Sequence, residues 1–172
     1  MSTNTVKYYG KYRGTVVNNV DPEQRGRIMA IVPDVAGLIP GSWALPCMPF
    51  AGKQSGVYVV PQVGAGVWIE FEQGDPDFPI WTGGFWGSAA EVPSLAVLGN
   101  PVSPSVILAS GLLSSISISD VPGPTGGIMI KAISGAMILV NEIGITISNG
   151  QGASIVMTGP TVTVNNGALV VT

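Results

Sequence analysis

Four carboxylates crowd one stretch of the chain: Glu70, Glu72, Asp75 and Asp77. Glu70 with Glu72, or Asp75 with Asp77, could serve as an acid–base pair, because two carboxylates divide those roles when their surroundings separate their pKa values. The competing reading is a solvated strand face followed by a turn, where Asp and Pro are favoured. It prevails because paired carboxylates need a cleft, which a small barrel scarcely offers. The chain has no histidine, and so lacks both the commonest general base and the commonest metal ligand. Cys47 is alone, which excludes an intrachain disulfide and a cysteine-based zinc site, and reads as a small buried hydrophobe. Neither Gly64 and Gly66 nor Gly83 and Gly84 belongs to a G-x-x-x-x-G-K-[ST] phosphate loop.

Tyr8, Tyr9, Tyr12, Trp43, Tyr58, Trp68, Trp81 and Trp86 could stack single-stranded bases. A net charge of -3 argues against that use and against gripping a phosphate backbone, so no nucleic-acid partner is expected. Thr161 and Thr163 resemble the Thr-x-Thr of ice- or sugar-binding solenoids, but threonine is simply a good outward strand residue. Arg25 and Arg27 flank Gly26; they are either solvated charge beside Asp21 and Glu23 or a contact for a partner, and the sequence does not rank the two.

The elements that must position these groups are strands. Residues 1–87 read as short strands cut by turn signals: Arg13–Val20, Arg27–Val32, Trp43–Pro49, Gly56–Val60, Val67–Glu72 and Ile80–Phe85. Such spacing suggests a small sandwich or barrel. Val67, Ile69 and Phe71 alternate with Trp68, Glu70 and Glu72, placing the first three on one face. Residues 88–124 read as a connector and the irregular start of a stem. They hold a weak strand at Ile116–Ser119, and a short helix within 105–114 is admissible. The uncharged run 92–119 could pass for a membrane span, but Pro93, Pro101, Pro104 and the serines at 110, 114, 115, 117 and 119 argue against it. The N-terminus has no apolar core of a signal peptide.

From 125 onward the chain repeats with a 17-residue offset, aligning Ile128, Ile145 and Val162, then Ile130, Ile147 and Val164. Six strands each offer two apolar residues two apart: Ile128 and Ile130, Ile138 and Val140, Ile145 and Ile147, Ile155 and Met157, Val162 and Val164, Leu169 and Val171. Gly, Asn or Pro stands between strands at 135, 144, 149–150, 159–160 and 165–167, where corners need tight or left-handed backbone. Of seven cations, residues 1–87 hold six, and from Thr125 to Thr172 only Lys131 and Glu142 ionise. A strip of this kind cannot bury its own apolar side. Three copies facing one axis would cover it, so the twelve residues are the expected core of a homotrimer.

The runs RGTVVNNVDPEQRGRIMAIVPD, WALPCMPFAG and GVYVVPQVGAGVWIEFEQGDPDFPIWTGGFW resemble the phage baseplate assembly protein V family and the OB-fold domain of type VI secretion spike proteins. The resemblance covers about residues 12–87. It implies an all-β chain: an N-terminal OB-fold barrel at 1–87, facing a baseplate hub protein, then a trimeric intertwined β-helix, a triangular prism, at 125–172. The implied role is the non-enzymatic central spike of a contractile tail or injection machine, pushed through the target cell outer membrane when the sheath contracts. Such a protein is made in the host cytoplasm and resides in the tail baseplate of the virion or an equivalent particle. Some members end in a His-x-His motif that binds iron on the three-fold axis; without histidine no cofactor is expected here, and a separate tip protein at the C-terminal end is expected instead. Some relatives carry a lysozyme-like insertion, for which this chain has no room. The alternative is a trimeric β-solenoid binding module of a phage tail, recognising a receptor or glycan.

Overall fold

The computed structural model describes residues 6–97 and 102–171. The chain divides into two compact units, Met1–Ala89 and Ala90–Thr172.

In the first unit a five-stranded sheet has the order β2-β1-β6-β7-β3. Its strands are β1 (Tyr12–Asn18), β2 (Met29–Ile31), β3 (Leu45–Pro46), β6 (Gly66–Phe71) and β7 (Pro79–Phe85). A separate two-residue hairpin pairs β4 (Ala51–Gly52) with β5 (Ser55–Gly56). All the pairings of the five-stranded sheet are antiparallel except β3 with β7. Just before the two edge strands, Ile28 and Ala44 exchange backbone hydrogen bonds of 3.2 and 2.8 Å, which joins the ends of the sheet. The arrangement is consistent with an OB fold. The alternation of β6 sets the core: Val67 and Ile69 are fully buried against Val16, Ile28, Ala30, Ala44 and Trp81, while Glu70 faces outward.

Two local features differ from the strand pattern read in the sequence. The run Arg27–Val32 gives only a three-residue β2, because Arg27 is drawn into the preceding loop and Pro33 opens a single helical turn, α1 (Pro33–Ala36). The run Gly56–Val60 contributes only Gly56 to a strand; Val57, Tyr58 and Val59 are 39%, 69% and 54% exposed, and no strand among the described residues pairs with them. Cys47 is exposed rather than buried, and its backbone N–H donates to the Trp81 carbonyl (2.9 Å).

The second unit holds one turn of helix, α2 (Ser94–Val97), and a single eight-stranded antiparallel meander. Its strands run β8 (Val106–Ala109), β9 (Ser115–Ser119), β10 (Gly127–Lys131), β11 (Met137–Val140), β12 (Ile145–Ser148), β13 (Ser154–Thr158), β14 (Thr161–Val164) and β15 (Leu169–Val171). Each pairs only with its neighbours in sequence. The sheet therefore begins at Val106, inside the segment read as a connector, and the stretch 105–114 forms a strand and a tight turn rather than a helix. Its alternation decides this: Val106 and Leu108 lie two apart and pair with Ile118 and Ile116. Residues 98–101 of that connector lie outside the described residues.

Candidate functional site

The register of the meander stacks apolar side chains into two unbroken columns. In one, Val106, Ile118, Ile128, Val140, Ile145, Met157, Val162 and Val171 stand directly opposite one another from strand to strand. In the other the sequence is Leu108, Ile116, Ile130, Ile138, Ile147, Ile155, Val164 and Leu169. Side chains alternate faces along a strand, so both columns occupy one face. All twelve residues singled out in the repeat lie in these columns. The four that the repeat did not include, Val106, Leu108, Ile116 and Ile118, extend them by two strands. Their signal was present as Ile-x-Ile at 116 and 118, the spacing seen at 128 and 130, but the surrounding serines and prolines concealed it.

This face is bare within the chain. Its exposed members range from 38% accessible at Ile155 to 68% at Val106, while Ile145, Met157, Val162 and Val164 are half-buried. The opposite face carries Ser117, Thr146, Ser148, Ser154, Thr161 and Thr163 among Ile107, Met129, Leu139 and Val156, all half-buried. A sheet with one apolar face needs a second layer. With about half of each side chain still open, and about 1.5–3 kcal/mol for burying one fully, covering sixteen of them is worth roughly 12–24 kcal/mol per chain. The cost of association is about 4–15 kcal/mol, so the balance favours a partner layer.

Corners keep the columns in step. Gly127 and Gly144 occupy equivalent places in the 17-residue repeat, at φ 95° and 154°. A Cβ at Gly127 would run into the Val140 carbonyl oxygen, and one at Gly144 into that of Met157. Only glycine permits both that backbone and that approach to the next strand. Asn141 Oδ1 accepts the N–H groups of Ile143 (3.0 Å) and Gly144 (3.2 Å), and Asn149 Oδ1 accepts those of Gln151 (2.9 Å) and Ala153 (3.0 Å). These side-chain acceptors satisfy backbone donors that the ladder leaves over at its turns.

The barrel's candidate groups do not converge. Glu70 accepts from Lys11 Nζ at 2.6 Å, and the same ammonium reaches Thr82 Oγ1 at 3.0 Å. Asp75 accepts from Lys7 Nζ at 3.4 Å and from the Asp77 N–H at 3.1 Å, the latter a local turn. Among the described residues no three His, Cys, Asp or Glu side chains stand close enough to hold a metal ion. No helix among them is long and apolar enough to cross a membrane.

The aromatic residues are dispersed as well. Trp81 is in the core, its Nε1–H donating to the Gly26 carbonyl at 3.1 Å. Tyr8, Tyr12 and Phe71 cluster with ring centroids 5.6–6.0 Å apart. Trp68 packs on Phe85 beside the Arg13 guanidinium, and Trp43 lies under that of Arg27. Tyr9, Tyr58 and Trp86 are exposed.

The turn at 21–27 proves to be a latch. Buried Asp21 accepts from Arg27 Nη2 (2.7 Å) and Nε (3.1 Å), and from the N–H groups of Glu23 (3.0 Å), Arg25 (2.8 Å) and Arg27 (3.2 Å). The Arg27 guanidinium, aided by those backbone donors and opposed by burial, holds the Asp21 carboxyl far below the ordinary carboxylate range. Glu23 is also held low, first by its hydrogen bond from Arg25. Of the two arginines left open by the sequence, Arg27 is committed to this latch and largely buried, while Arg25 is exposed.

Two family models match the chain. Residues 12–86 match the type VI secretion system/phage-baseplate injector OB domain, and residues 105–170 match the phage baseplate V C-terminal trimerisation domain. No curated protein matches the chain. The first match coincides with the closed five-stranded sheet, and the second spans the meander whose apolar face lies open. A trimerisation domain placed on that uncovered sheet supports a homotrimer and a structural part of a baseplate. With its OB domain and its trimerisation domain in this order, the chain belongs to the phage baseplate assembly protein V family.

Proposed function

We propose that the protein is the central spike of a contractile tail or related injection machine, a homotrimer whose stem breaches the target cell envelope when the sheath contracts. The observation that carries this reading is the pair of eight-residue apolar columns, exposed along the whole meander within the segment that matches a trimerisation domain. In the proposed trimer each chain supplies one face of a triangular β-helical prism. Its core is Ile128, Ile130, Ile138, Val140, Ile145, Ile147, Ile155, Met157, Val162, Val164, Leu169 and Val171, extended by Val106, Leu108, Ile116 and Ile118. Eight stacked strands make each face about 38 Å long at a spacing of about 4.8 Å.

Such a prism suits thrust. Interdigitated aliphatic packing resists compression, and main-chain ladders brace each face along its length. The OB domain is the proposed seat of the baseplate hub protein, and a separate tip protein completes the spike at the C-terminal end of the stem. The reading requires no catalysis; the energy comes from the sheath. The test is the protein's position in an assembled particle. Three copies on the tail axis, found by imaging particles that carry a tagged chain, is the expected result. Copies at the periphery, as for a receptor-binding fibre, would overturn the reading.

A further inference from the structure

Only three side chains ionise between residues 92 and 172: Asp120, Lys131 and Glu142. The meander places them on opposite lateral edges of the sheet. Lys131 ends β10, at the edge where Lys131 pairs with Ser115 and Met137. Asp120 follows β9 and Glu142 follows β11, both at the other edge, where Gly127 pairs with Ser119 and Val140 with Ile145. The two acidic turns touch: Glu142 Oε2 accepts the Gly123 N–H at 3.0 Å, and Asn141 Nδ2 donates to the Pro124 carbonyl at 3.3 Å. Lys131 and Asp120 are exposed, and their side chains have no hydrogen-bond or ion-pair partner among the described residues.

Along the stack, the strand that bears Lys131 lies between the two that lead into the acids, about 4.8 Å from each. Within one chain the lysine cannot reach either acid, since four residue steps of β10 separate the edges by about 14 Å. Around a three-fold axis, however, one chain's lysine edge abuts its neighbour's acidic edge at the same height. Resting on the reading of the sheet as one face of a trimeric prism, we infer that Lys131 of each copy pairs with Asp120 and Glu142 of the next, and that these pairs set the axial register of the trimer.

The apolar columns fix that register only through their ends. They repeat from hairpin to hairpin, so a neighbour displaced by two strands still meets Ile, Val, Leu or Met at every level where the two columns overlap. The 17-residue period makes the packing nearly degenerate, and a lone charged level removes the degeneracy, as a single polar site does in a coiled coil. Exposed pairs contribute little to affinity but do discriminate among arrangements.

A zero-length carbodiimide cross-linker applied to the whole wild-type chain tests this, with peptide mass spectrometry and sedimentation mass as readouts. The expected result is a trimer in which Lys131 is joined to Asp120 or Glu142, with covalently linked chains on a denaturing gel. Lys131→Arg should keep the trimer and lose the link. Lys131→Glu should weaken assembly about tenfold or more at low salt, and Asp120→Lys with Glu142→Lys should restore it in that background. A stable trimer lacking the Lys131 link, or indifferent to Lys131→Glu, would overturn the inference and leave the trimer standing. A monomer would overturn both.

Discussion

Replacing Ile147 with aspartate should convert the trimer into monomers. Ile147 sits mid-column, opposite Ile138 and Ile155, and is 39% exposed in the single chain. Covering that remainder contributes roughly 0.6–1.2 kcal/mol per copy, as a fraction of the 1.5–3 kcal/mol for full burial. An aspartate at the axis must be neutralised, which at pH 7 against an ordinary pKa of about 3.9 costs about 4 kcal/mol. Leaving it charged costs more. Three copies together lose about 15 kcal/mol, which at about 1.4 kcal/mol per tenfold lowers the trimer's association constant by roughly eleven powers of ten. Light scattering during size-exclusion chromatography at micromolar concentration should then report one chain mass for Ile147→Asp. Below about pH 4 the carboxyls are neutral and part of the trimer should return. The matched control is Thr146→Asp, one residue along and on the opposite face, which should remain trimeric. If Thr146→Asp dissociates while Ile147→Asp does not, the assignment of the inner face is wrong.

Ile118→Asp should disrupt trimers much as Ile147→Asp does, by the same light-scattering measurement, because β9 carries the column into a segment that reads as linker. Gly144→Ala should destabilise the stem by about 1–3 kcal/mol, the usual cost of a side chain in a strained backbone region, with more from the clash at the Met157 carbonyl; chemical denaturation of the whole chain checks it. Acid should loosen the barrel. Asp21 has a folded pKa depressed below its unfolded value of about 3.9, so its contribution is present above pH 4 and fades as the pH falls further. Asp21→Asn should lower the barrel's melting temperature at pH 7, where Arg27 loses its partner, and flatten its decline below pH 4 in a calorimetric series.

Much of the stem was legible because its residues say the same thing twice. Ile-x-Ile at 128 and 145 marks the strands, and Gly127 and Gly144 mark the corners, at one shared period. Where only one of those signals is present the reading faltered. Val106 and Leu108 alternate, but β8 stands outside the 17-residue repeat, and a helix looked as suitable. In the barrel, Val67 and Ile69 revealed their inward face by alternation, as the structure has it. GVYVV reads as a strand because β propensity describes a residue that suits a sheet, but among the described residues no strand pairs with residues 57–60. The Asp21–Arg27 latch was invisible for another reason. A charged pair six residues apart in a turn looks solvated, and only the fold of the loop brings the guanidinium onto the carboxylate and over Trp43.

The methionines allow the apolar face to be examined without any substitution. Met157 belongs to an apolar column, whereas Met129 and Met137 lie on the other face, and all three are half-buried in the single chain. Peroxide oxidation of the wild-type protein, read residue by residue in peptide mass spectra, should modify Met129 and Met137 while Met157 stays protected. Oxidation of Met157 as fast as Met129 would contradict an interior formed by three copies of this face.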